Sequence, residues 1–328
     1  MLASRVRRAC SLRSVEMLHL RRLSTVNDRT PPSAAPDASS PAGPPPVRVA
    51  ITETAGRGVF TTRSIGSGEL IHSAEPVVCH PSVDDLPAVC YSCLKALDGS
   101  EDRRTAAGVA FCGERCMGRS KGSFEVEMGI DFSAYHDYCR SHGLKYPLLV
   151  KRLACMVLAG ETRVECLDVL QPAYLPMGMI VQIEEEFALL KRAFKAAGLM
   201  DERIAFLTKN WYTGILSRIR INAFRVEIIG RSYESLLSMA AASVEAETAV
   251  GNAVYMLPSF YNHDCDPNTH IIWLESAVAR LKALREIQPG EELRICYIDA
   301  SLGRDARRAL LYQGFGFQCN CPRCLSGD

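Results

Sequence analysis

The stretch GFQCNCPRC near the end of the chain places Cys319, Cys321 and Cys324 within six positions. One residue separates the first two thiols and two separate the last two, a spacing that suits a shared metal ion better than any disulfide pairing. Three thiolates leave a tetrahedral zinc one ligand short. The segment YNHDCDPNTH, residues 261–270, supplies a candidate. An Asx-rich turn around Pro267 accounts for Asp266, Pro267 and Asn268, but not for Asn262, His263 and Cys265. Cys265 is the best candidate for the fourth ligand, because Cys10, Cys79, Cys139, Cys155, Cys166 and Cys296 lie in no comparable polar turn. A second set is complete in itself. CYSC and FCGERC give Cys90, Cys93, Cys112 and Cys116, a CxxC and CxxxC pair that can close a four-sulfur structural zinc site. His136 and Cys139 in YHDYC have no further CxxC to join and read as a helix-surface histidine and a core thiol.

Composition narrows the class of protein. The 328 residues are 48% hydrophobic and 23% charged, which suits a globular chain with a sizeable core. A net charge of +1 argues against a protein built to neutralise nucleic-acid phosphates, so no direct nucleic-acid binding is expected. No apolar run reaches the roughly 18 residues of a membrane span. Fourteen cysteines in so long a chain, half of them in tight clusters of metal-ligand type, point to zinc in a reducing compartment rather than to a disulfide scaffold.

These residues need elements to position them. Residues 1–26 carry Arg5, Arg7, Arg8, Arg13, Arg21 and Arg22 against one acid, Glu16, the composition of an organelle transit peptide; a basic tail or a nuclear import patch is the alternative. Residues 27–46 are rich in Pro, Ala and Ser and read as a disordered linker. From Val47, VRVAIT sets Val47, Val49 and Ile51 on one face of a half-buried strand. In AGRGVF, Gly56 and Gly58 flank Arg57 at a tight turn, where the backbone could also approach a ligand. The middle is helical: one apolar segment ends at Gly160, and the next spaces Ile180, Ile183, Phe187, Leu190 and Phe194 as a core stripe before Gly198. A third starts with Asp201 as its cap. A strand-like AVARLKALREI follows later, then a turn at Pro289 and Gly290, and the strand EELRICYI with Tyr297 at its end.

The ordered series GRGVF, CxxC with CxxxC, NHxCxPN, PGEEL with Tyr297, and GFxCxCxxC resembles the SET-domain protein lysine methyltransferases. The likeness is closest to the branch that interrupts SET with a MYND-type zinc module, and extends to the short plant trithorax-related members. It covers residues 47–324. It implies an α+β chain with a β-rich SET fold, in which the NHDC segment is threaded beneath a neighbouring loop as a pseudoknot. The implied organisation is an N-terminal SET part (47–89), a MYND-like half zinc module (90–122), a helical insertion (123–250), a C-terminal SET core (251–300) and a post-SET segment (301–328).

By position, the resemblance implies that Arg57 and Gly58 lie on the S-adenosylmethionine loop, that Asn262 and His263 form the cofactor-binding pair, and that Phe317 packs against adenine. Tyr297 matches the catalytic tyrosine, which also borders the cofactor. Phe224 and Phe315 match walls of the lysine channel, and Cys265, Cys319, Cys321 and Cys324 match the post-SET zinc. The expected activity is methyl transfer to a lysine of a protein substrate, histone or non-histone, by a monomer holding two zinc ions; a catalytically silent zinc scaffold is the alternative. The leader places that activity in the mitochondrial matrix, and the nucleus, with a chromatin role, or the cytosol is the other reading. Two departures stand out. The chain has only the first half of the MYND ligand set, and Phe315 stands where many relatives have tyrosine. Four residues follow Cys324 in the sequence, and on this reading the helical C-terminal domain of larger relatives is not expected.

Overall fold

In a computed structural model, residues 43–86, 88–97, 103–105, 108–228 and 249–328 are described. The leader and most of the linker expected from the sequence lie outside them. The strands are β1 (Val47–Ile51), β2 (Arg57–Thr61), β3 (Leu70–Ala74), β4 (Val78–Pro81), β5 (Arg103–Arg104), β6 (Ala110–Phe111), β7 (Ala223–Glu227), β8 (Ala249–Val254), β9 (Asn262–His263), β10 (Thr269–Ile272), β11 (Ala279–Ala283) and β12 (Glu292–Ile295). The helices are α1 (Glu114–Arg119), α2 (Lys121–Met128), α3 (Ser133–Ser141), α4 (Tyr146–Leu158), α5 (Ile180–Ala196), α6 (Lys209–Asn222), α7 (Arg304–Phe315) and α8 (Pro322–Leu325). Most strands lie towards the two ends and most helices between them, the α+β order expected from the sequence.

The chain divides into two units. The first comprises the described residues up to Ala74, Phe260–Ile272 and Ala279–Asp328. Its larger sheet has the order β1-β2-β12-β9. One half of β12 runs antiparallel to β2, pairing Leu293 with Val59, and the other half runs parallel to β9, pairing Arg294 with Asn262 and Ile295 with His263. Parallel neighbours need a long connection, and here it contains β10 and β11, which form a second sheet with β3. Val59, Leu293 and Ile295 are buried at the heart of the larger sheet. Strand β1 departs from expectation. Among the described residues it is an edge strand, and Val49 and Ile51 are 43% and 76% exposed rather than half-buried.

The second unit comprises Glu75–Ser259 and Trp273–Val278. Helix α4 runs through its core with Pro147 in its first turn, and every residue from Pro147 to Cys155 is buried, including Lys151 and Arg152. Helix α5 turns Ile183, Leu190 and Phe194 inward, the stripe read from the sequence. The expected cap of α6 is corrected. Residues 201–206 form turns, and the helix starts at Lys209, where the Thr208 hydroxyl accepts the Trp211 N–H at 3.1 Å. A sheet of order β4-β8-β7 completes the unit. Among the described residues, no helix is long and apolar enough to cross a membrane.

Candidate active site and metal centres

The sulfurs of Cys265, Cys319, Cys321 and Cys324 lie within 4.8 Å of one another, and all four residues are buried. Cys265 Sγ is 3.9 Å from Cys319 and 3.6 Å from Cys324. Disulfide sulfurs sit near 2.0 Å, whereas a zinc ion with bonds of about 2.3 Å in tetrahedral geometry spaces its sulfurs by about 3.8 Å. The donor chemistry agrees. Left to themselves the thiols share protons: the hydrogen bond between Cys265 and Cys319 drives the first well above the usual thiol range and the second well below it. A divalent cation satisfies all four as thiolates, so the residues fit zinc. Local structure brings them together. Gly316 adopts φ +79° at the end of α7, a left-handed conformation open to glycine, and the chain then leads through Phe317 into the cysteine run. Buried Arg307 places Nη2 3.7 Å from Cys324 Sγ, a cation beside a sulfur-rich centre that the sequence did not disclose.

The same segment that supplies Cys265 supplies Asn262 and His263, which are the two residues of β9. Asn262 Nδ2 donates to the Arg57 carbonyl at 3.1 Å and to Glu292 Oε1 at 2.7 Å. Both amide protons are thereby engaged, and Oδ1 is left as an acceptor for a ligand. Gly58 is closely packed: a Cβ there would stand 2.5 Å from Glu292 Oε1 and 2.8 Å from Thr52 Cγ2, so these side chains would have to shift. Arg57, at the start of β2, sets its guanidinium 4.8 Å from the centroid of Phe260. Asn268, read from sequence as a turn residue, clamps β12, with Nδ2 donating to the Glu292 carbonyl at 2.8 Å and Oδ1 accepting from Arg294 N at 2.8 Å.

Tyr297 follows β12 and is held at three points. Its main-chain N–H donates to His263 Nδ1 at 3.0 Å, its hydroxyl donates to the Tyr261 carbonyl at 2.5 Å, and its ring lies 4.9 Å from that of Phe315. Phe317 stands edge-on to Tyr297 at 6.4 Å and 6.1 Å from the His263 ring. Tyr297, Asn262, His263, Arg57, Gly58, Phe315, Phe317 and the post-SET cysteines thus gather in the first unit. Because the hydroxyl proton is committed to a carbonyl, the phenolic oxygen keeps lone pairs to accept a hydrogen bond. The site can orient an N–H donor between aromatic rings.

Phe224 belongs to the second unit, where β7 carries it and its ring packs 5.6 Å from Tyr255 and 6.4 Å from Trp273. The second cysteine set is in this unit too. Cys90, Cys93, Cys112 and Cys116 have sulfurs within 4.8 Å of one another, with Cys93 3.7 Å from Cys112 and Cys112 3.5 Å from Cys116. Leu94 closes the CxxC turn at φ +62°, fully buried, a backbone conformation that such a side chain rarely adopts. The aromatic rings of Tyr91, Phe111 and Phe124 pack around the set in edge-on contacts. These distances fit a second zinc. Among the described residues these are the two clusters of cysteine metal-ligand type. Cys139 is buried as expected, but His136 is half-buried rather than on the surface, with Nε2 3.0 Å from Lys151 Nζ.

A tyrosine ring flanked by two phenylalanines, backed by an Asn-His strand and a four-cysteine cluster that fits zinc, defines a transferase of the SET kind. Residues 56–298 match the SET domain, and the chain belongs to the SET-domain family. It is 60% identical over 290 residues to the histone-lysine N-methyltransferase ATXR4 of Arabidopsis thaliana, covering 87% of this chain and 88% of that one. A SET and MYND domain-containing protein of Dictyostelium discoideum is 23% identical over 278 residues, 78% of this chain and 77% of its own. The mouse histone-lysine N-methyltransferase SMYD3 is 42% identical over 79 residues, 24% of this chain and 18% of that one.

Proposed function

We propose that the chain transfers a methyl group from S-adenosylmethionine to the side-chain amine of a protein lysine, with Tyr297 orienting the amine. The observation that carries this reading is the Tyr297 hydroxyl, its proton held by the Tyr261 carbonyl and its ring against Phe315. The 60% identity to a plant protein named as a histone-lysine methyltransferase supports it. Arg57, Gly58, Asn262, His263 and Phe317 would hold the cofactor, with Asn262 Oδ1 as an open acceptor. When bound, S-adenosylmethionine supplies an activated methyl group on a sulfonium centre.

The residues of the chain supply the rest. A lysine amine with a solution pKa of about 10.4 is almost wholly protonated at neutral pH and cannot attack. An aromatic wall, to which we assign Phe315, disfavours the charged form by desolvation. Tyr297 Oη then accepts one N–H of the neutral amine and aims its lone pair. Placement, rather than a strong base, carries much of the rate.

Each cysteine cluster is assigned one zinc, carried by the inserted half module (90–122) and by the post-SET segment (301–328) together with Cys265. The Arg-rich composition of residues 1–26 supports import into the mitochondrial matrix, where the substrate would be a non-histone protein. The name of the plant relative supports the alternative, a histone substrate in the nucleus. Incubating the zinc-loaded chain with methyl-labelled S-adenosylmethionine and either core histones or mitochondrial proteins tests the activity. Label recovered as methyl-lysine is the expected result, and none on any acceptor favours the silent scaffold.

A further inference from the structure

We propose that His72 and Tyr261 are positioning residues for methyl transfer: the imidazole pins the Tyr261 ring so that its carbonyl holds the Tyr297 hydroxyl. Tyr261 is fully buried immediately before β9, and its backbone oxygen is the acceptor of the Tyr297 proton at 2.5 Å. Its own hydroxyl lies 2.9 Å from His72 Nε2, and the two rings are 5.8 Å apart. His72 sits on β3, which belongs to the other sheet of the same unit, and is only 5% exposed.

The contacts of the imidazole favour one direction. His72 Nδ1 faces the Ser73 carbonyl at 3.4 Å, so a neutral ring carries its proton there and presents Nε2 as an acceptor. The buried Tyr261 hydroxyl donates to it. A core that needed only bulk at these positions would be served by two apolar side chains, without the cost of burying a hydroxyl and an imidazole. The pair instead ties β3 to the residue whose carbonyl accepts the Tyr297 hydroxyl proton. Tyr261 is also followed directly by Asn262, whose amide holds the Arg57 carbonyl and Glu292. A tilt of the Tyr261 backbone would move the acceptor of the Tyr297 proton, and misplacements of about 1 Å can slow a positioned reaction by about a hundredfold.

This inference rests on Tyr297 being the residue that orients the lysine amine. The test uses the full zinc-loaded chain as wild type and as Tyr261→Phe, His72→Phe, His72→Gln and Tyr297→Phe. Methyl transfer to core histones and to mitochondrial proteins is measured at saturating S-adenosylmethionine. Tyr261→Phe and His72→Phe should each lower kcat about tenfold with the KM for S-adenosylmethionine and the zinc content unchanged, whereas His72→Gln, which keeps an acceptor, should stay within about threefold. A second readout needs no acceptor protein. With tyrosines labelled at Cζ, the carbon resonance of Tyr297, assigned from Tyr297→Phe, should shift in Tyr261→Phe and His72→Phe and hold its place in His72→Gln. An unmoved resonance in all three overturns the proposal, as does His72→Gln falling as far as His72→Phe. Wild-type kcat in Tyr261→Phe beside an inactive Tyr297→Phe overturns the relay alone. Wild-type kcat in Tyr297→Phe overturns the role of Tyr297 and the relay with it.

Discussion

His263 joins Tyr297 to the post-SET cysteines. Its Nδ1 accepts the Tyr297 main-chain N–H at 3.0 Å, and its Nε2, left with the proton in the neutral ring, faces Cys265 Sγ at 3.3 Å. A side chain facing a candidate cysteine ligand on one edge and the catalytic candidate on the other means that the cysteine cluster and the site form one structure. A neighbour that holds a metal ligand in this way also fixes ring orientation and tautomer.

The first consequence concerns metal. Intact protein should contain two zinc ions per chain, and Cys265→Ser should contain one. Apparent zinc-site energies of about 10–16 kcal/mol in small peptides make a large loss of stability in the C-terminal segment the expected outcome. Elemental analysis together with S-adenosylmethionine titration checks it. An unchanged metal count and unchanged affinity in the mutant would remove Cys265 from the ligand set.

The second unit should be sensitive to acid. Burial would raise the Glu127 carboxyl, but the charges of Lys151 and Arg152 outweigh it and hold the group down to about 2. Glu127 accepts hydrogen bonds from Lys151 Nζ and from the Tyr91 hydroxyl, with Arg152 3.8 Å over the Tyr91 ring. Burial, with the Lys151 charge, likewise lowers His136 to about 4, and burial with the Arg152 charge takes His80 well below its usual value. Groups depressed in the folded state stabilise it above their unfolded values and lose that contribution as pH falls through the folded ones. Stability should therefore decline below about pH 6.5 as the histidines are forced to charge, and further below about 4.5 as Glu127 is forced to neutralise. Glu127→Gln at neutral pH should cost about 3–5 kcal/mol by stranding Lys151. Denaturant unfolding across this range measures both. A flat pH profile with a near-neutral mutant would contradict the network.

The sequence disclosed chemistry better than geometry. The first cysteine set and the three C-terminal thiols were legible because ligand spacing is a local signal, Cys265 followed from its polar turn when set against the remaining cysteines, and the Asn262, His263 and Tyr297 assignments came from the order of motifs. The cap of α6 was not: Asp201 and Thr208 are both acceptable cap types, and only the position of the Trp211 N–H decides for Thr208. Alternation in β1 announced a strand but could not say that it lies at an edge, where Val49 and Ile51 stay exposed. The contact of His72 with Tyr261 spans 189 positions, and the contacts of Arg307 with the cysteine cluster depend on how the chain folds back, so neither left a local trace.

The leader reading makes a prediction about place. A fluorescent protein fused after residues 1–46 should enter mitochondria, and mass spectrometry of the mature chain should find its start near Ser24. Nuclear accumulation of the full-length fusion would instead support histone lysines as the target.

The account turns on one oxygen atom. Tyr297→Phe keeps the ring against Phe315 and the main-chain bond to His263, and removes only the hydroxyl now held by Tyr261. Zinc content and S-adenosylmethionine affinity should stay near wild type while kcat falls about a hundredfold or more, since a loss of about 3 kcal/mol of transition-state stabilisation already has that effect. The decisive measurement is single-turnover methyl transfer by folded, cofactor-saturated Tyr297→Phe beside wild type. A rate at least about a hundredfold lower is predicted, and an equal rate would contradict the assignment of Tyr297 as the residue that orients the lysine amine.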